Sequence, residues 1–223
     1  MTKFKIVGYD YCPFIQPSII ALMEKKADFS VTYIEPGNKP GWVNEVSPQG
    51  ATPFLLIDGK ALFESAAMIE FVNDTTGGDL YPDDAFLKAQ NRMWIARSYA
   101  LLDNLYALKT TDDPCVFKAE KAALRARLGD IEDLIGENPF FNGNDFGLVD
   151  GVFAPVLRTI AMLDERFNLN LFDVLPNVRR WSKNVLSRPS VKSSVVENFD
   201  ERSADKIAQS NALVCRQHAQ PAT

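Results

Sequence analysis

The chain has 223 residues, 46% of them apolar, and a formal net charge of −5 at pH 7. That length supplies one large core or two small ones, and an acidic balance argues against broad nucleic-acid binding, which needs a basic face. No apolar run reaches the ~20 residues of a bilayer span, and the opening MTKFKIVGYD lacks the apolar centre and cleavage site of a secretory leader, so a cytoplasmic protein with no membrane partner is expected.

KFKIVG (3–8) reads as a strand and PFIQPSIIALMEKK (13–26) as a helix, with Ile15, Ile19, Leu22 and Met23 near one face. FSVTYIE (29–35) alternates as a half-buried strand, and residues 39–47 make at most a short helix. PFLLID (53–58) and KALFE (60–64) flank Asp58-Gly59, a two-residue hairpin signal. SAAMIEFVND (65–74) opens with Ser65 as an expected N-cap. The order βαβ, short helix, ββα predicts one mixed sheet over residues 1–75. Turn formers in TTGGDLYPDD mark a linker at 76–83.

Beyond the linker, strand signals nearly vanish, and residues 84–223 read as an all-helical domain. A long helix at 84–109 is assigned the stripe Phe86, Met93, Ala100, Leu101, Leu105 and Leu108. A second follows at 115–136, with Leu124, Leu128, Ile131 and Ile135 at helical steps, and a third at 148–163. Two shorter helices each start at a proline, and the final polar stretch reads as a loose helix or tail. The fold class is therefore α/β plus all-α.

The three cysteines, Cys12, Cys115 and Cys215, are too few and scattered for a disulfide framework or a zinc site, and no metal is expected. The single histidine, His218, lies in the tail, a poor base for a Ser-His-Asp site. Cys12 stands out. It falls where a strand hands over to a helix, and as N-cap, with Pro13 the first helical residue, it would meet unpaired N–H groups that favour negative sulfur. Such surroundings lower a thiol from ~8.5 to roughly 3.5–7.5. Ile15 occupies the place where a dithiol motif has its second cysteine, so a second thiol must resolve any mixed disulfide. An inert structural cysteine is the competing reading.

Thr52-Pro53 in GATPFLL is either an edge-strand start or a cis peptide. Glu64 and Ser65 in FESAAMIEF pair an acceptor with a helix N-terminus, which suits the ammonium and carboxylate of an amino-acid group. Lys39, taken alone, is a solvated lysine.

CPF (12–14), NKPGWVNEVSPQGATPFL (38–55), FESAAMIEFV (63–72), LYPDD (80–84), DFGLVDGVFAPVL (145–157) and RRWSKNVLSRPSVKSS (179–194), in this order and spacing, resemble the soluble glutathione S-transferase family, omega class, over roughly residues 3 to 200. The resemblance implies a thioredoxin-like N-terminal domain (1–75) and a helical-bundle domain (84–223). It further implies a glutathione-dependent thiol transferase or reductase in which catalytic Cys12 forms a mixed disulfide with glutathione, the cosubstrate. Phe14, Lys39, a cis Thr52-Pro53, Glu64 and Ser65 would bind the tripeptide. Pro13, Trp94, Arg97, Ser98 and Leu101 would face a small hydrophobic or disulfide electrophile. The family's habit implies a homodimer, for which Phe54 and Phe63 are exposed apolar candidates. The alternatives are a conventional conjugating transferase, with Tyr9 and Tyr11 close by, and a non-enzymatic or regulatory protein on the same fold. Gly147 departs from the family pattern, which has Ser or Thr before the helix that carries Asp150.

Overall fold

The computed structural model describes residues 3–216, and His218 lies outside them. β1 (Phe4–Gly8), α1 (Gln16–Glu24) and β2 (Phe29–Tyr33) make a crossover with β1 and β2 parallel. α2 (Gly41–Val46) leads into β3 (Phe54–Ile57) and β4 (Lys60–Leu62), an antiparallel pair. Their turn is Asp58-Gly59, both at positive φ, 47° and 84°, the conformation that matches the twist of the flanking strands. β3 also runs antiparallel to β1, giving the mixed order β2-β1-β3-β4. α3 (Ser65–Thr75) packs on α1. Alternate residues of β1 point to opposite faces: Ile6 joins the main core with α1 and α3, while Val7 meets Ile34, Val43 and Phe54 in a smaller cluster beside α2. Phe54 is thus buried, not exposed as the dimer reading required, and Phe63 packs on it at 5.6 Å between ring centroids.

The helical domain comprises α4 (Ala85–Thr110), α5 (Pro114–Ile135), α6 (Leu148–Phe167), α7 (Pro176–Ser187), α8 (Pro189–Lys192), α9 (Phe199–Ala208) and α10 (Leu213–Arg216). Asp84 and Asp113 cap α4 and α5 by accepting from Leu87 N (2.8 Å) and Cys115 N (2.7 Å). The buried stripe of α4 is Asn91, Trp94, Ile95, Ser98, Leu101, Leu102, Leu105 and Leu108. Phe86 and Met93, expected on it, are 70% and 39% exposed. Two polar core residues, Asn91 and Ser98, hide the true face from hydrophobic periodicity alone. The final stretch is not loose among the described residues: α10 packs on α4, and Leu213 N donates to Thr111 O at 2.8 Å.

α6 is the hub of the molecule, packed against α1, α4, α7 and α9. Its N-cap Gly147 carries no side chain, and Asp150 reaches back to accept from Gly147 N at 2.8 Å. A Cβ at position 147 would come within 3.1 Å of the Leu80 carbonyl oxygen. Glycine therefore lets the linker lie directly on the start of α6, where Leu148 N donates to the same oxygen.

The two domains are also joined by charge. Arg188 makes a two-point contact with Glu24 of α1, at 2.9 and 2.7 Å, and Ser190 Oγ donates to the same carboxylate. Burial would raise the Glu24 carboxyl, but these bonds and the Arg188 charge together hold it below its ordinary value. A lowered folded value means stability that is present above the ordinary carboxylate range and lost as pH falls through the folded one. Arg188→Ala should therefore cost about 1–2 kcal/mol at neutral pH, a figure reduced for the part-exposed guanidinium. The gap to wild type should close in acid, as denaturant titrations at several pH values would show.

Candidate active site

The site is built at the carboxyl end of β1. After Gly8 the chain turns, and Cys12 N donates to Tyr9 O at 3.2 Å. Residues 13–15 form a further turn, and α1 begins only at Gln16, with Pro17 in its first turn. The sequence reading gave that role to Pro13; Pro17 takes it, because a proline four residues on satisfies the same first-turn rule. Cys12 is therefore not an N-cap. The 13–15 turn nonetheless aims the backbone N–H groups of Phe14 and Ile15 at its sulfur.

Cys12 is buried, 9% exposed. That burial pushes its thiol above the ordinary value, outweighing the two amides that pull it down. The expectation of a thiol depressed by a helix terminus is thus overturned, since the terminus is too far along the chain and the sulfur too well covered.

Phe14, Thr52, Pro53, Glu64 and Ser65 line one cleft of about 480 Å³, together with Phe63, Tyr99 and Asp103. The Thr52–Pro53 bond is cis. Ser65 is the first residue of α3 and not its cap; its hydroxyl donates instead to the Phe14 carbonyl at 2.6 Å. That bond ties the start of α3 to the turn that follows Cys12. Glu64 takes the cap position at φ 65°, ψ 113°, a region few non-glycine residues adopt, at a cost of roughly 1–3 kcal/mol. Lys39 stands behind the loop that precedes Thr52: its Nζ donates to Gly50 O at 2.9 Å and lies 5.9 Å from the Tyr9 ring centroid. Phe14 and Tyr99 stack at 6.0 Å. Gly8 sits where the two loops meet: a Cβ there would be 3.0 Å from Ile15 Cδ1 and 3.1 Å from Pro53 Cβ.

A second cavity of about 430 Å³ is lined by Tyr11 and Pro13, the neighbours of Cys12, and by residues of α4, α6 and α9. Of the five expected electrophile-facing residues only Pro13 lines it. Ser98 and Leu101 are buried in the core, Trp94 is buried against Phe141, and Arg97 is exposed and lies over the Trp94 ring. These four follow or flank the core stripe of α4. The face that looks into the two cavities is instead Tyr99, Asp103, Tyr106 and Thr110, whose steps of four, three and four give one helical face. α9, which spans the end of the second short predicted helix and the start of the stretch read as a loose helix or tail, supplies a wall through Phe199, Ser203 and Ile207, and that spacing of four was the signal available. Arg202 holds α9 to Asp10 at 2.8 Å, and Lys206 Nζ lies 4.4 Å from the Tyr11 ring centroid.

Among the described residues no cluster of His, Cys, Asp and Glu could hold a metal, and no helix is long and apolar enough to cross a membrane. A thioredoxin-like domain docked on a helical domain is the architecture of the two-domain glutathione transferases. Sequence comparison agrees: the glutathione S-transferase N-terminal domain matches residues 11–75 and the glutathione S-transferase C-terminal domain residues 93–184. The chain belongs to the glutathione S-transferase family. It is 24% identical to pig (Sus scrofa) glutathione S-transferase omega-1 over 213 residues, covering 93% of this chain and 87% of that protein. It is 24% identical to chloroplastic glutathione S-transferase DHAR3 of Arabidopsis thaliana over 192 residues, 85% and 70% of the respective chains. Among solved structures, rice GST1 in complex with glutathione superposes with a TM-score of 0.82 at 21% identity, covering 98% of this chain and 99% of that one.

Proposed function

We propose that the protein is a glutathione-dependent thiol transferase of omega-like type, with Cys12 as nucleophile. The observation that carries this reading is the gathering of Phe14, Thr52, Pro53, Glu64 and Ser65 around one cleft, with Phe14 also one of the two residues whose backbone N–H groups meet the Cys12 sulfur. The cleft offers what a γ-glutamyl tripeptide needs: the Thr52 backbone for its cysteinyl backbone, and Glu64 with the amide end of α3 for the ammonium and carboxylate of its γ-glutamyl end. Ser65 Oγ still has lone pairs to accept with, and the Lys39 ammonium, with one donor on Gly50, keeps others for the glycyl carboxylate. The omega-1 and DHAR3 relatives support the class, and the complex of rice GST1 supports the tripeptide.

In the reaction the Cys12 thiolate attacks the glutathionyl sulfur of a mixed disulfide. A Cys12–glutathione disulfide forms, and the partner leaves as a thiolate that takes up a proton. Attack on the Cys12 disulfide by the thiolate of one free glutathione then returns the Cys12 thiolate and releases glutathione disulfide, so that one glutathione thiol is consumed for each substrate thiol released. The setting proposed is a cytoplasmic homodimer.

Peptide mapping after brief exposure to glutathione disulfide tests this directly. Glutathione should sit on buried Cys12 ahead of exposed Cys115; modification of Cys115 alone overturns the reading. Burial of Cys12, which disfavours its thiolate, supports a second reading in which the cleft binds glutathione for conventional conjugation or without turnover. Under that reading binding persists and no Cys12 adduct forms.

A third measurement probes the cleft itself. Glu64→Gln removes a charge facing the bound ammonium and should weaken glutathione about tenfold by calorimetry, the scale of one charge-assisted hydrogen bond.

A further inference from the structure

The second cavity has an uneven charge pattern. Its apolar walls include Tyr106, Met162 and Phe199, while Lys109, Arg158 and Lys206 bring cations to it and Asp200 is the one carboxylate among its lining residues. Arg158 and Asp200 face each other at 3.6 Å, and Arg158 Nη2 donates to Val191 O at 2.8 Å. That pair is balanced, although the buried Arg158 Nε has no partner. Lys109 and Lys206 remain. Among the described residues neither has a carboxylate partner; each lies over a tyrosine ring, Lys109 on Tyr106 and Lys206 on Tyr11. The two ammonium groups are close enough to act on each other: the Lys109 value is lowered first by burial and then by the Lys206 charge. Two unneutralised like charges at the edge of an aromatic cavity form an electrostatic vacancy for an anion. Gln16, 2% exposed, also borders the cavity.

We propose that this cavity selects molecules with an aromatic body and a carboxylate, the ring lying against Tyr106, Met162 and Phe199 and the anion reaching Lys109 and Lys206. That such a molecule is the non-glutathione half of the substrate rests on the thiol-transferase reading; that it binds there does not. The leaving half in turnover is then an aromatic thiol bearing an acid group.

The test separates the two. Binding of naphthalene-2-carboxylate and of its uncharged carboxamide is measured by calorimetry on the full chain. Wild type should prefer the carboxylate about tenfold, the scale of a charge-assisted contact, and the preference should weaken as salt rises. In Lys109→Met combined with Lys206→Met the ratio should fall to near one, whereas Lys109→Arg should keep it. No carboxylate preference in wild type, or a preference that survives the double substitution in a protein with an unchanged circular dichroism spectrum, overturns the inference. Cys12-dependent turnover of a small neutral glutathione mixed disulfide is followed in the same wild-type preparation. Its absence, alongside a sound carboxylate preference, sinks the thiol-transferase reading and leaves the binding inference standing.

Discussion

Cys12→Ser is expected to lower glutathione-dependent disulfide reduction by about a thousandfold or more, since a serine hydroxyl cannot form the mixed disulfide through which the reaction divides. Glutathione binding should change little, because the cleft residues Thr52, Glu64 and Ser65 are untouched. Calorimetry beside a coupled turnover assay would show the split; full turnover by the serine variant would end the proposal. The pH profile adds a second check. Burial places the thiol above its ordinary value, so alkylation of Cys12 by iodoacetamide in the ligand-free protein should rise about tenfold per pH unit through neutrality and level off later than for free cysteine. A plateau already reached at neutral pH would show that the Phe14 and Ile15 amides outweigh burial.

The largest stability loss is expected at Asp150. Its carboxylate is fully buried and accepts from Trp181 Nε1 at 2.6 Å, Gly147 N at 2.8 Å and Phe141 N at 2.9 Å. Asp150→Ala strands those donors in the core, at about 1–3 kcal/mol each before relaxation, so a total of about 4 kcal/mol is expected. That is a large share of a typical domain's stability. The check is a urea midpoint shift at unchanged slope. Burial, against these donors, holds the carboxyl up at about 6. A folded value above the unfolded one contributes most at acid pH and fades as pH rises through about 6, so the deficit of the alanine variant should be wider at pH 4 than at pH 8. Asp150→Asn should fall between the two proteins, since its amide nitrogen would face an N–H donor.

Much of this architecture is legible in the sequence. Asp58-Gly59 fixes the hairpin, the linker shows as a run of turn formers, and α5 announces itself through Leu124, Leu128, Ile131 and Ile135, all fully buried. What is misread has physical causes. Two prolines compete for the start of α1, and propensity does not rank them. The core stripe of α4 contains Asn91, paired with Asn142 at 3.0 Å, and Ser98, satisfied by Ile95 O at 2.7 Å, so polarity points away from a face that is in fact inside. The second cavity is legible only in part, Pro13 being the one expected residue on its wall, because its far wall comes from α9, whose few apolar residues gain meaning only once α4 and α6 are in place. The first cleft, by contrast, is readable by motif, since its residues sit on three short loops at one end of the sheet.

Gly8 has a consequence beyond space-filling. With only hydrogen atoms on its Cα, it lets Ile15 of the turn after Cys12 and Pro53 of the 51–53 segment both close directly on the end of β1. In a close-packed interior neither can give way without loss of contacts on that side of Gly8. A methyl group added at position 8 would therefore have to move the turn that follows Cys12 or the segment that carries Thr52, so one residue at the end of β1 sets the position of both.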